Sequence, residues 1–282
     1  MSNFTIGIVG LGLMGASMAY ALRGFREARL LGADTDELVC RRAEFAGAVH
    51  KATQDAGEVM AQADLLLFCV YAHHIPPLLS AHAAKLKPGA LLGDICGVKT
   101  HLYQAMEPLL PGHVDYVGVH PMAGKERDGF DNADPLLYRN SGFIITPLPR
   151  SSTESISAMK EMAGYIGATR VSVVSPEEHD RIIAYTSDLM HIASAGLCMD
   201  FHPGMNVAFT AGAFRDCTRV ADINAAAWTE LLLDNRANTV ERLDRYLASL
   251  QKVREALCQA DTYALNCLLR QAGENKREML QR

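Results

Sequence analysis

The chain has 282 residues, 49% of them hydrophobic and 21% charged, with a formal net charge of −5. That length holds one large domain or two moderate ones with ample sequence for a buried core. The acidic balance argues against nucleic acid or a membrane surface as a general partner, so an anionic small molecule would need a local basic pocket.

The first run, Phe4-Thr5-Ile6-Gly7-Ile8-Val9, is β-rich and leads into Gly10-Leu11-Gly12-Leu13-Met14-Gly15. A helical pattern then continues through Met18, Ala21 and Leu22. Strand, G-x-G-x-x-G and helix in that order are the context in which this motif binds a dinucleotide. Gly10 serves the tight turn, Gly12 lets a pyrophosphate approach the backbone, and Gly15 lets helix and strand pack closely. The phosphates then lie on the helix N-terminus, whose N–H groups and dipole favour anions. A second strand, residues 29–33, ends at Asp34, which stands 19 residues past Gly15. An acid there accepts hydrogen bonds from the adenosine ribose. Asp36 follows and no Arg or Lys appears before Arg41, so two carboxylates would repel a 2′-phosphate and NAD is expected over NADP. The alternative is an ordinary Asp-rich turn.

Residues 65–70 form a continuous apolar run, as expected of a parallel strand covered on both faces, and Val70 ends it beside the dinucleotide. Pro76-Pro77 opens a helix, residues 90–94 make another strand, and Lys99 precedes a helix through Leu110. Residues 114–119 are the next strand, with His120 expected where it ends, at the edge where an open α/β sheet places its ligands. An imidazole there can exchange a proton near neutral pH, or simply cap backbone. A strand at 143–146, a helix at 155–166 and a strand at 171–174 close the alternation. The pattern predicts an α/β fold over residues 1–175, a doubly wound, mostly parallel Rossmann-type sheet.

After Ser175-Pro176 the strand patterns stop. A helical stretch runs from Glu177 to about Phe201, and Val240, Leu243, Leu247, Leu250, Val253 and Leu257 recur at helical spacing. Residues 176–282 read as an all-helical second domain whose apolar stripe is intrachain core or a dimer seam. No apolar run approaches the roughly 18 residues of a membrane span, and the N-terminus lacks a signal peptide's basic start. The seven cysteines contain no C-x-x-C pair. They read as free buried thiols in a reducing cytoplasm. His73-His74 lack companions at ligand spacing, so no metal site is expected.

Five blocks together resemble the prephenate dehydrogenase family, including its arogenate-using relatives. They are the glycine loop, Asp94-x-x-x-Val98-Lys99, His120-Pro121-Met122-Ala123-Gly124-Lys125-Glu126-x-x-Gly129, Ser187-x-x-x-His191, and Phe214-Arg215-Asp216-Cys217-Thr218-Arg219 with Trp228 nine residues on. The resemblance implies NAD-dependent oxidative decarboxylation of prephenate to 4-hydroxyphenylpyruvate, with arogenate the alternative substrate, and a homodimer built through the helical domain. It implies that His120 polarises the ring C4 hydroxyl, that Arg219 anchors a carboxylate, and that His191 contacts substrate from the second domain. Arg215 one turn before Arg219, Glu126 at the mouth, Lys125 and Ser187 are the further substrate-side candidates. Gly10, Leu11, Gly12, Leu13, Met14, Gly15, Asp34, Val70 and Lys99 are the cofactor-side ones. Each arginine has a solvated helix face as its bland alternative, Glu126 an exposed surface position, and Lys99 a simple pairing with a carboxylate.

Two positions depart from the family. Gly97 stands where it has a serine, so that hydrogen bond is missing or replaced by water or Thr100, and Ser187-Asp188-Leu189-Met190-His191 lacks one histidine and a proline. A β-hydroxyacid or imine-reducing dehydrogenase would combine similar domains, but such enzymes rely on a lysine in the helical half, and residues 176–251 contain none. A non-catalytic NAD-sensing dimer is the reading from another class. It has no need to bring His120, Arg219 and the glycine loop to one cleft.

Overall fold

The computed structural model of the chain describes every residue except Met1, Ser2, Asn3, Glu126, Phe201, Leu280 and Arg282. Strands β1 (Thr5–Val9), β2 (Arg29–Ala33), β3 (Lys51–Thr53), β4 (Leu65–Phe68), β5 (Leu91–Asp94), β6 (Asp115–Met122), β7 (Gly142–Pro147) and β8 (Arg170–Val173) form one sheet. Their order is β3-β2-β1-β4-β5-β6-β7-β8. Helices α1 (Leu13–Ala21), α2 (Glu37–Phe45), α3 (Ala56–Met60), α4 (Ile75–His82), α5 (Thr100–Met106) and α6 (Thr153–Tyr165) connect the strands. Side chains alternate across the central strands, so Leu65 and Leu67 enter one apolar cluster while Leu66 and Phe68 enter the other.

Three details correct the sequence expectation. The short strand β3 was not legible, because three residues at a sheet edge carry no usable period. β6 and β7 pair antiparallel, with Val119 opposite Ile145 and His120 opposite Ile144. Among the described residues between them there is only a single 3-10 turn, Phe130–Asn132, and without a crossover helix the chain simply turns back. His120 therefore lies within β6 rather than at its end. Its partial exposure arises differently: β5 and β6 pair only at Leu91–Asp115 and Leu92–Tyr116 and then diverge.

From Pro176 on, the described residues form helices and turns. α7 (Pro176–Ile183) and α8 (Leu189–Met199) are joined by a π-helical turn, Ala184–Asp188, and are followed by α9 (Gly212–Thr218), α10 (Ala225–Asp234), α11 (Arg236–Cys258) and α12 (Thr262–Met279). The continuous stretch Pro176–Met199 has the length and apolarity of a membrane span, with a mean hydropathy of 1.2. It nevertheless carries His179, Asp180 and Asp188 buried, the first two engaged at the sheet half. On α11 the apolar stripe is uncovered within the chain, with Val240, Leu247, Leu250 and Leu257 all substantially exposed. All seven cysteines are free, but Cys198, Cys217, Cys258 and Cys267 are exposed rather than buried as expected.

Candidate active site

A cavity of about 830 Å³ runs along the carboxyl ends of β1, β2, β4 and β5, lined by Gly10, Gly12, Leu13, Met14, Asp34, Val70, Ile95, Cys96 and Lys125 among others. Its shape follows from the glycine loop. Gly10 has φ +93°, and a Cβ at Gly15 would lie 1.8 Å from the Gly10 carbonyl oxygen, so α1 can start this close to the strand only with glycine there. A Cβ at Gly12 would meet nothing, which leaves backbone open to the cavity. Leu11 and Gly15 stand behind this wall. The Leu11 amide donates to Asp34 Oδ2 at 2.8 Å and the Asp36 amide to Oδ1 at 3.0 Å, fixing the Asp34 carboxylate at the cavity rim. Asp36 itself caps α2, accepting from the Leu38 amide. Open glycine backbone at a helix start, with an oriented acid one strand away, fits a dinucleotide: pyrophosphate on the loop, ribose on Asp34.

Lys99 does not reach this cavity. It is fully buried, with Nζ donating to Asp94 Oδ1 at 2.6 Å and to the Val119 carbonyl at 2.7 Å. The expected cofactor contact gives way to the pairing alternative, and the pair has a clear task. Tyr116 donates its hydroxyl to Asp94 Oδ2 at 2.7 Å, so one ion pair bridges β5 and β6 where they diverge. A buried pair of this kind holds geometry more than it adds stability.

His120 faces the gap so opened. Its Nδ1 lies 2.9 Å from His179 Nε2, and His179 Nδ1 lies 2.7 Å from Asp180 Oδ1. The Asp180 oxygens also accept the Lys99 and Thr100 amides at 2.9 and 2.8 Å, capping α5 from the other half of the chain. Burial alone would raise the Asp180 pKa, but hydrogen bonds from His179, Thr100 and Lys99 outweigh it and hold the group below the usual carboxylate value. Burial pushes His179 below the ordinary histidine value against the pull of Asp180. It pushes His120 well below that value, with His179 and Lys99 adding to the effect.

These directions fix the protons. A carboxylate only accepts, so His179 Nδ1 carries hydrogen; neutral His179 then offers a lone pair at Nε2, and His120 Nδ1 donates to it. Neutral His120 is left with its lone pair on Nε2, the form a general base requires. Sequence reading missed His179 and Asp180. The only signal was a His-Asp pair in the first turn of the helix that opens the second half.

The helical half meets this place through α10. A Cβ at Gly97 would come 2.9 Å from Leu231 Cδ1 and 3.9 Å from His120 Cε1, so Leu231 fills the space left by the absent side chain. Trp228, one turn earlier, packs on His191 with ring centroids 3.6 Å apart and planes tilted by 31°, and His191 Nδ1 lies 3.0 Å from the Ser187 carbonyl oxygen. His120, Gly97, Leu231, Trp228 and His191 thus form one chain of neighbours, continuous with the cavity through Cys96. Ser187 is half-buried on the π turn, a kind of local distortion found often at functional sites. Lys125 lines the cavity, paired with Asp134 at 3.0 Å. Arg215 and Arg219 are exposed, the first on α9 and the second as its C-cap. Asn224, five residues past Arg219, donates to Asp128 Oδ2 at 3.1 Å on the cavity wall. Glu126 lies outside the described residues. His74 also lines the cavity, and His73 pairs with Glu230.

Both halves match known families. The model of the prephenate dehydrogenase nucleotide-binding domain matches residues 18–172, and that of the prephenate dehydrogenase dimerization domain matches residues 175–271. The cyclohexadienyl dehydrogenase of Zymomonas mobilis is 30% identical over 263 residues, covering 91% of this chain and 89% of that protein. The crystal structure of Synechocystis arogenate dehydrogenase superposes with a TM-score of 0.84 at 27% identity, covering 98% of this chain and 100% of the other. That of Aquifex aeolicus prephenate dehydrogenase, in complex with hydroxyphenyl propionate and NAD+, gives 0.87 at 24% identity over 99% of each chain, a likeness of fold. Matched over both halves and in order, this chain belongs to the prephenate dehydrogenase family of oxidoreductases, whose place is in tyrosine biosynthesis.

Proposed function

We propose that the protein catalyses the NAD-dependent oxidative decarboxylation of prephenate to 4-hydroxyphenylpyruvate. The observation that carries the reading is the His120–His179–Asp180 chain, which leaves a neutral imidazole nitrogen for substrate beside the far end of the dinucleotide cavity. A bound nicotinamide supplies the acceptor for the hydride leaving ring C4. His120 Nε2 accepts a hydrogen bond from the C4 hydroxyl and draws its proton as the carbonyl forms. Loss of the ring carboxylate as CO₂ then leaves an electron pair that completes the aromatic ring. Arg219 anchors a substrate carboxylate with Arg215 one turn away, since a planar guanidinium suits bidentate pairing, and His191, held by Trp228, closes the ring site. Asp34 selects NAD, because a 2′-phosphate would face its carboxylate.

Arogenate is the second reading. Lys125 would repel the ammonium that distinguishes arogenate from prephenate, but its pairing with Asp134 offsets that charge. The uncovered stripe on α11 supports a homodimer, and seven free thiols support a reducing cytoplasm. Steady-state rates with prephenate and arogenate, each with NAD and NADP, test the assignment. The expected preference is prephenate with NAD, and absence of turnover with either acid would leave the NAD-sensing dimer. Arg219→Ala should chiefly raise KM, and an unchanged KM would return Arg219 to a solvated face.

A further inference from the structure

Helix α10 buries none of its residues fully within the chain, so apolar packing alone does not fix its position. Two histidine–carboxylate contacts tie it to the sheet half. Glu230 Oε1 lies 2.6 Å from His73 Nδ1 and accepts the His73 amide at 3.3 Å, while Asp234 Oδ1 lies 3.0 Å from His101 Nδ1. Glu230 and Asp234 are four residues apart and so share one helix face. The two histidines come from separate elements, His73 from the turn after β4 and His101 from α5. The same helix carries Leu231 against Gly97 and Trp228 against His191. On the opposite side, Tyr71 and His74, neighbours of His73, line the dinucleotide cavity.

We propose that His73 and His101, with Glu230 and Asp234, form a two-point latch that positions α10, and through it Trp228 and Leu231, over the substrate end of the cleft. These are positioning residues that act without touching substrate. Partly exposed pairs add little to stability, on the order of 0–1 kcal/mol each, so their effect is on placement. Because one arm is built on the turn that lines the cofactor cavity, the latch joins cofactor and substrate groups mechanically. Its effect on catalysis rests on the function proposed above; its structural part does not.

Trp228 is the sole tryptophan of the chain, so its fluorescence reports on α10 directly. In the ligand-free protein, Glu230→Ala combined with Asp234→Ala should change the Trp228 emission as its contact with His191 loosens, with the circular dichroism spectrum retained. KM for the cyclohexadienol acid should rise roughly tenfold while kcat stays within about threefold. Glu230→Gln with Asp234→Asn keeps the hydrogen bonds and should recover most of the KM. The reciprocal pair, His73→Ala with His101→Ala, should move the emission in the same direction. Unmoved emission in both alanine pairs overturns the latch, and so does moved emission with an unchanged KM. If the unaltered protein turns over neither prephenate nor arogenate, the functional reading fails while the emission still decides the latch.

Discussion

The sheet half buries apolar side chains on both faces of β1 and β4, with Ile6, Ile8, Leu66, Leu67 and Phe68 all inaccessible, whereas the helical half buries few apolar groups beside a polar set of Asp180, Asp188, Ser194, Asn235 and Thr239. The first kind of interior is non-directional, held by apolar area removed from water and close packing. The second is directional: each member depends on a partner at the right distance, and an orphan costs more than a pair gains. Such a half relies on its neighbours for stability. Asp180 engages the sheet half, and the stripe of α11 is left uncovered within the chain. The proposed site lies where the two interiors meet, with the glycine loop and His120 on the sheet half and Trp228 and His191 on the helical half.

The largest blow to the sheet half is a side chain where none fits. Gly15→Ala places a methyl 1.8 Å from the Gly10 oxygen, a backbone clash that should lower stability by about 3 kcal/mol. NAD binding should be lost with it. Urea unfolding with and without NAD checks this, and an unchanged midpoint would show that α1 is not seated against the strand as described.

In the helical half the sensitive point is Asp188, whose Oδ2 accepts from Asn235 Nδ2 and Thr239 Oγ1 at 2.8 Å each while Oδ1 has no partner among the described residues. Burial raises its pKa against the pull of those two donors. Asp188→Ala strands both donors and should cost about 2 kcal/mol. Asp188→Asn, which keeps an acceptor and removes the disfavoured charge, should cost much less. Equal losses in the two variants would mean that packing, not hydrogen bonding, holds this half together.

A more diagnostic effect is on pH dependence. His120 and His179 sit below the ordinary histidine value in the folded chain. As pH falls below that value, the unfolded chain takes up protons that the folded one refuses. Stability is therefore full above neutrality and is lost on acidification, by up to about 1.4 kcal/mol per pH unit for each histidine, until the folded groups protonate too. Denaturation between pH 7 and pH 5 should show this slope, and His179→Asn should flatten it. A variant slope as steep as the parent's would remove His179 from the buried chain.

The sequence was most informative where physics is local. Glycines flanked by strand and helix, the acid after β2, and unbroken apolar runs such as residues 65–68 all announce themselves within a short window. The antiparallel return of β7 was not announced, because it depends on the lack of a helix in an irregular stretch. Lys99 was legible as important yet not as buried, since its partner Asp94 and the Val119 carbonyl are gathered by divergence of two strands. His179 was out of reach for the same kind of reason: its contact with His120 spans 59 positions and joins the two halves. Leu231 filling the space beside Gly97 belongs to this class, a side chain 134 residues away standing in for a missing one.

In the proposed reaction one imidazole on β6, held in a fixed tautomer by the helical half, takes the substrate proton. The most direct measurement is the turnover number of His120→Asn with prephenate and saturating NAD, alongside the NAD dissociation constant. Turnover should fall on the order of a hundredfold or more with NAD affinity unchanged. A near-normal turnover number in a variant that binds NAD normally would contradict it.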